Sequence, residues 1–346
     1  MAEDRGYLRW LVSETPTTWW HDSGDPAELA QGLAHGATGV TTNPVLTYQA
    51  LRANPDHFGD KIRALPSDLT PERRAEELMG IMVRNAAKMF EPVHKRTQGR
   101  LGYVCAQLNP ARAWDVEGML AAAQRHHDWA PNVSVKVPVT LAGLEVMEEL
   151  AARGITFTAT VSYNVPQLIH VAERYQKGLA RARQAGIPTG QCFVTQMIGR
   201  IDDYLRDVIH DTHANVSESD VRQAGLAMAK RLYAIYKERG YESTLLVAAL
   251  RGNYHMLALA GAEIIMSIHP RYQALLLAPG VPREERIDEP IPPDVIRRLQ
   301  TVPEFVRSYE PDGMAPEEFF GFGVVQRTLT QFDEAGWKML ESFEEA

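Results

Sequence analysis

Eight short runs rich in β-branched and aromatic residues recur along this chain, each separated from the next by a longer stretch of helical periodicity. That alternation is the pattern of a parallel sheet covered by helices. The runs are residues 17–21 (TTWWH), 39–42 (GVTT), 103–107 (YVCAQ), 133–137 (VSVKV), 156–160 (TFTAT), 191–195 (QCFVT), 244–249 (TLLVAA) and 264–268 (IIMSI). Eight parallel strands are the number that closes a barrel, so the expected fold is α/β, a (β/α)8 TIM barrel with extra helices and a C-terminal helical tail. Residues 1–346 are expected to form one domain, with 271–346 as a C-terminal extension packed on the barrel.

The helical patterns cover residues 26–34, 71–89, 113–128, 141–153, 164–185, 219–239 and 254–260, each bounded by Gly, Pro or Asn. Ser217 followed by Asp220 resembles a capping box, which fixes the start of the long helix there. In the tail, residues 279–293 mix Pro, Glu and Arg and read as a loop, whereas 323–343 has helical periodicity and is placed to cross one barrel end.

Composition excludes several classes. With 36 Lys and Arg against 44 Asp and Glu, the net charge of −8 is spread along the chain and argues against a protein that grips a nucleic-acid backbone. Cys105 and Cys192 are the two cysteines, too few for a disulfide framework or a CxxC metal clip, which fits a reducing compartment and makes the cytoplasm the default. The start, MAEDRGYLRWLV, is acidic and its apolar run is too short for a secretory signal; no later stretch approaches the roughly 20 apolar residues of a membrane span. No GxGxxG follows a strand, and neither GxxxxGK[ST] nor GxSxG occurs, so the expected chemistry uses no cofactor. His126 and His127, like His210 and His213, lack an accompanying ligand cluster, so no metal is expected and they read as surface histidines.

In a barrel of this kind the active site is assembled at the C-terminal ends of the strands. Asp22, Asn43, Gln107, Lys136, Thr160, Thr195 with Arg200, and Arg251 each fall at or just beyond the end of a different run. Lys136 is the most informative, because it interrupts the apolar VSVKVPV, where an ammonium is costly to bury unless paired or neutral. Desolvation and nearby cations lower a lysine pKa and free its amine to attack a carbonyl, as in Schiff-base aldolase chemistry. The structural alternative is a strand-end lysine that snorkels to water or pairs with a carboxylate.

Asp22 is suited to proton transfer; its alternative duty, capping the following helix, belongs more naturally to Asp25, which directly precedes Pro26. Asn43 precedes Pro44, and its amide can both donate to and accept from a sugar hydroxyl, although a turn asparagine is more often structural. Gln107 and Thr160 can position a water or hydroxyl, with core satisfaction an equal alternative. Arg200 and Arg251 have the planar forks to clamp a phosphate; their alternative is salt bridging, above all for Arg200, which Asp202 and Asp203 follow.

Three motifs, GVTTNPVL around Asn43, VSVKVPVTLAGL around Lys136 and QMIGRIDDY around Arg200, occur in an order that resembles the transaldolase family; WWHDSGDP, AALRGN and the tail segment FGFGVVQRTLTQF are similar to it as well. The resemblance implies a class I aldolase in which Lys136 forms a Schiff base with a ketose phosphate, sedoheptulose 7-phosphate or fructose 6-phosphate, and a dihydroxyacetone unit passes to an aldose phosphate. It implies Asp22 as acid/base, Asn43 and Thr195 on the dihydroxyacetone hydroxyls, Thr160 supporting a catalytic water, and Arg200 and Arg251 on the phosphate. The partners it implies are small sugar phosphates, with no nucleic acid and no membrane, and a homodimer is left open.

The chain departs from the family at three places. Gln107 stands where a water-activating glutamate is usual, as in the related fructose-6-phosphate aldolases, which release free dihydroxyacetone. Met197 stands where those aldolases carry a tyrosine, a role for which Tyr163 is the candidate substitute. Ala249 replaces a phosphate-contacting serine, removing a hydrogen bond of about 1 kcal/mol.

Overall fold

The structure, a computed structural model, describes residues 6–344, so the first five residues of the acidic start and the last two of the chain lie outside it. Among the described residues seven strands form one parallel sheet: β1 (Thr18–His21), β2 (Val104–Gln107), β3 (Val133–Pro138), β4 (Phe157–Thr160), β5 (Cys192–Met197), β6 (Thr244–Ala248) and β7 (Ile265–Ile268). Their order is β1-β7-β6-β5-β4-β3-β2, so β1 and β2 are the two edges, and the sheet curls into a half-barrel of TIM-like fold in place of the expected closed barrel.

The expected ring of eight regular strands is corrected at the second run. There a single residue, Val40, bridges in parallel to His21 on one side and Val104 on the other. The run has no room to lengthen: Asn43 caps, and Pro44 opens, the helix Pro44–Ala53 immediately after it. Gly39 is also constrained, since a Cβ there would sit 2.6 Å from the Trp20 indole.

Strand periodicity sorts the core into two layers. Trp20, Tyr103, Cys105, Phe193, Leu246 and Ile265 fill the inside of the curled sheet, with the Trp20 and Phe193 rings edge-to-face at 4.7 Å. Their neighbours Trp19, Val104 and Val194 pack outward beneath the helices. The expected caps are present: Asp25 accepts from the Ala27 and Glu28 amides, and Ser217 with Asp220 forms the capping box of helix Glu218–Arg239.

Elsewhere the elements run longer or shorter than expected. The helix expected over 71–89 continues to Arg96, because its buried stripe goes on through Phe90 and Val93. The seventh run stops at Ala248, since Ala249 turns into the left-handed region at φ 55°. The tail holds short helices Pro293–Leu299, Pro303–Tyr309 and Pro316–Phe319, and its expected helix over 323–343 divides into a helix Gly323–Phe332, a π-helical turn Asp333–Trp337 and a last turn Lys338–Glu341. His126 is not a surface histidine: it is fully buried, stacked 4.1 Å from Trp129 and 3.5 Å from the buried Glu76 carboxylate. His210 and His213 are exposed, as expected. Among the described residues no helix is long and apolar enough to cross a membrane.

Candidate active site

A cavity of about 220 Å³ opens at the C-terminal ends of the strands, and Asp22, Asn43, Lys136, Thr160, Thr195, Arg200 and Arg251 all line it. These are the expected site residues except Gln107. Gln107 lies beside Lys136 in register, is 1% exposed, and does not reach the cavity wall; neither of its amide atoms has a hydrogen-bond partner.

Lys136 is inward-facing, two residues before the end of β3, and 6% exposed. Its Nζ donates to the Thr42 carbonyl at 2.9 Å, and no carboxylate among the described residues pairs with it. Burial is the main force pushing its pKa below the ordinary lysine value; Cys105 and Asp22 oppose the shift and Arg200 adds to it. The snorkelling and ion-pair alternatives therefore do not describe this lysine.

Asp22 is free of helix capping and accepts from the Thr41 hydroxyl at 2.7 Å. Because Thr41 spends its proton on Asp22, Ser267, 2.6 Å from Thr41, is the donor in the next link. Asn43 Oδ1 accepts from the Leu46 amide at 3.0 Å as the helix cap, and the residue also lines the cavity. Thr160 and Thr195 line the cavity, and their buried hydroxyls have no hydrogen-bond partner among the described residues, which leaves both available to a ligand.

Arg200 and Arg251 meet the cavity in different states. Arg200, on the first turn of helix Ile198–Thr212, donates through Nη1 to Gln331 at 2.7 Å and lies 5.3 Å over the Phe332 ring. Burial lowers its pKa, with Tyr163 opposing. The salt bridging expected for Arg200 falls instead to Arg251, whose Nε and Nη2 both donate to Asp203 Oδ2. Gly199 lets the two strand ends meet, since a Cβ there would lie 2.2 Å from the Ala249 carbonyl and 2.5 Å from Arg251 Cγ.

Tyr163 is buried beside Thr328 and does not line the cavity, so it does not substitute at position 197; Met197 itself forms that part of the wall. Ala249 also lines the cavity, offering only its carbonyl, which accepts from Arg251 Nη1 at 2.9 Å. Sequence reasoning missed Thr41, Ser267, His269, Arg271, Tyr272 and Phe332, which also line the cavity. Ser267 carried a usable signal, as an inward polar position in the last run. Phe332 ends the tail segment FGFGVVQRTLTQF, whose helix was expected to cross one barrel end, but its place on the wall is set by packing.

A family model described as Transaldolase/Fructose-6-phosphate aldolase matches residues 19–305. A transaldolase of Thiobacillus denitrificans is 28% identical over 329 residues, covering 91% of this chain and 89% of the relative. One from Neisseria meningitidis is 31% identical over 189 residues, 53% of this chain and 54% of the relative. Transaldolase 1 of Streptomyces avermitilis is 30% identical over 245 residues, 67% and 64% of the two chains. The match runs from within β1 through the last strand and includes every expected site residue, and the chain belongs to the transaldolase/fructose-6-phosphate aldolase family.

Proposed function

We propose that this protein is a transaldolase that works through a Schiff base on Lys136. The observation that carries the reading is a desolvated lysine amine in a cavity that also presents a carboxylate and three arginines, Arg200, Arg251 and Arg271. The Lys136 amine adds to the C2 carbonyl of a ketose phosphate such as sedoheptulose 7-phosphate or fructose 6-phosphate. Loss of the carbinolamine oxygen as water gives the iminium. Asp22 then takes the C4 hydroxyl proton as the C3–C4 bond breaks, the electron pair passes into the enamine, and the aldose phosphate leaves. An acceptor aldose phosphate reverses the sequence and carries away the dihydroxyacetone unit.

Asn43 and Thr195 bind the dihydroxyacetone hydroxyls in this reading, Thr160 holds the water, and Arg200 with Arg251 holds the phosphate. Gln107 orders water from beside Lys136 without carrying a proton. The two buried free thiols, Cys105 and Cys192, suit a reducing compartment such as the cytoplasm.

One observation favours a second reading, cleavage with release of free dihydroxyacetone. Asp22 is the one carboxylate lining the cavity among the described residues, and Gln107 cannot act as a base.

Borohydride reduction with fructose 6-phosphate tests the common mechanism. A three-carbon adduct on the peptide bearing Lys136, absent from Lys136→Ala, is expected; no adduct with any ketose donor sinks both readings. A coupled assay with erythrose 4-phosphate separates them: sedoheptulose 7-phosphate marks transfer, free dihydroxyacetone marks cleavage.

A further inference from the structure

We propose that the buried pair Asp202 and His255 is a positioning device for Arg251, and that through it the enzyme sets its preference for phosphorylated over neutral ketoses. The proposal rests on the reading of Arg251 as a phosphate ligand.

Neither residue lines the cavity, and both are 0% exposed. Asp202 Oδ1 accepts from the Gly225 amide at 2.8 Å, and Asp202 Oδ2 lies 3.0 Å from His255 Nε2. His255 Nδ1 faces the Arg251 backbone amide at 3.3 Å. An amide can only donate, so Nδ1 is the lone-pair nitrogen and the ring proton sits on Nε2, pointing at Asp202. The chain of bonds therefore has one polarity, from the Arg251 amide to His255, and from His255 to the carboxylate.

The segment it anchors has little else to hold it. β6 ends at Ala248, Ala249 is left-handed, and the next helix, Asn253–Leu259, begins after Gly252. Arg251 thus sits on an irregular turn with no sheet ladder. Its guanidinium is taken by Asp203, the residue next to Asp202 on the same helix, and its backbone by the His255 link. Arg200 stands two residues before Asp202 on that helix. One rigid element consequently carries the first arginine and both carboxylates that fix the second, so the separation of the two guanidinium groups is set by helix geometry. Burying a carboxylate beside an imidazole is expensive compared with an apolar pair of the same volume, and here the pair holds two backbone amides, Gly225 on the neighbouring helix and Arg251 on the loop.

The test uses the full chain and three variants. His255→Phe removes the link, His255→Asn keeps an acceptor for the Arg251 amide but falls short of Asp202, and Asp202→Asn keeps an acceptor for His255. His255→Phe is expected to raise KM for fructose 6-phosphate about tenfold with kcat little changed, and to leave borohydride trapping of dihydroxyacetone, which has no phosphate, at the wild-type rate. Both conservative variants are expected to recover part of the loss. Calorimetric binding of inorganic phosphate reads the same device without turnover, and its Kd is expected to weaken about tenfold in His255→Phe and by a smaller factor in His255→Asn, which carries the test if the phenylalanine variant does not fold. Equal losses for phosphorylated and neutral ligands, or an unchanged phosphate Kd in a folded variant, overturn the proposal. Failure of Lys136 to trap any ketose in the unmodified chain overturns the catalytic reading instead, and the phosphate measurement still decides this one.

Discussion

Asp203 Oδ2 holds the Arg251 guanidinium at both Nε and Nη2, at 2.8 and 2.7 Å, whereas Arg200, on the same helix as Asp203, meets the neutral amide of Gln331 and the Phe332 ring. The ion pair is one-third exposed on both sides, so it adds little stability and acts mainly to orient the fork. Arg200 is then the cation with more charge to offer an incoming anion. Arg200→Met is expected to raise KM for phosphorylated ketoses by about 10- to 100-fold, the worth of a charge-assisted pair, and Arg251→Met by less. Steady-state kinetics with fructose 6-phosphate and with dihydroxyacetone check this; equal losses on both would show that neither side chain reads the phosphate.

The Lys136 amine should titrate below the ordinary lysine value of 10.5. A carboxylate stabilises the ammonium and a guanidinium opposes it, so Asp22→Asn is expected to lower the titration point further and Arg200→Met to raise it. NMR of isotopically labelled lysine follows both shifts without requiring turnover. Linkage gives a second readout: between the lowered folded-state value and 10.5 the unfolded chain binds the extra proton, so stability rises with pH across that window, and Lys136→Met should flatten the slope.

Gln107 is buried with two unpartnered amide atoms beside Lys136, a position that a bound water would satisfy. Gln107→Met is expected to lower kcat by about 10²-fold, with donor KM changed little, because positioning of the water is lost while the phosphate contacts remain. Single-turnover hydrolysis of the dihydroxyacetone adduct is the direct measurement, and an unchanged rate would remove Gln107 from the mechanism.

Gln331 is exposed and reaches Arg200 from the tail. Gln331→Ala is expected to raise KM for phosphorylated ketoses by about 3- to 10-fold, since a loose guanidinium must be ordered on binding, while Tm stays nearly constant. A fall in KM would mean that the amide competes with the phosphate instead of orienting its ligand.

Away from the cavity, burial pushes the Glu76 pKa upward, but His126 and Arg125 overcome it and hold the carboxyl at about 2. Arg125 is 40% exposed, so water shares the pairing, and Glu76→Gln is expected to cost about 1–3 kcal/mol. The folded-state pKa is depressed, so this contribution is full above 4.5 and fades as pH falls toward 2; denaturation of both forms across that range should converge at the acid end.

Much of the fold was legible because its signals are local. A period of two marks strands and a period near 3.6 marks helices. Asp25 and Ser217 announce helix starts through the orphan amides they satisfy. The same locality exposed Lys136, since one ammonium in an apolar strand is anomalous within five residues of sequence. Parallel strands end at a common face, so finding polar residues at successive run ends located Asp22, Asn43, Thr160 and Thr195 without knowledge of their contacts.

The tertiary structure alone decided how those groups are held. The second run dwindled to Val40 because a helix begins at Pro44. Asp203 chose Arg251, 48 residues away, over the nearby Arg200, and Gln331 reached Arg200 across 131 residues. His126 went inside to meet Glu76. A chain pattern records which residues carry charge or can turn, but long polar side chains pair with whatever the packed elements bring within about 3 Å, and that choice exists only once the helices have settled on the sheet.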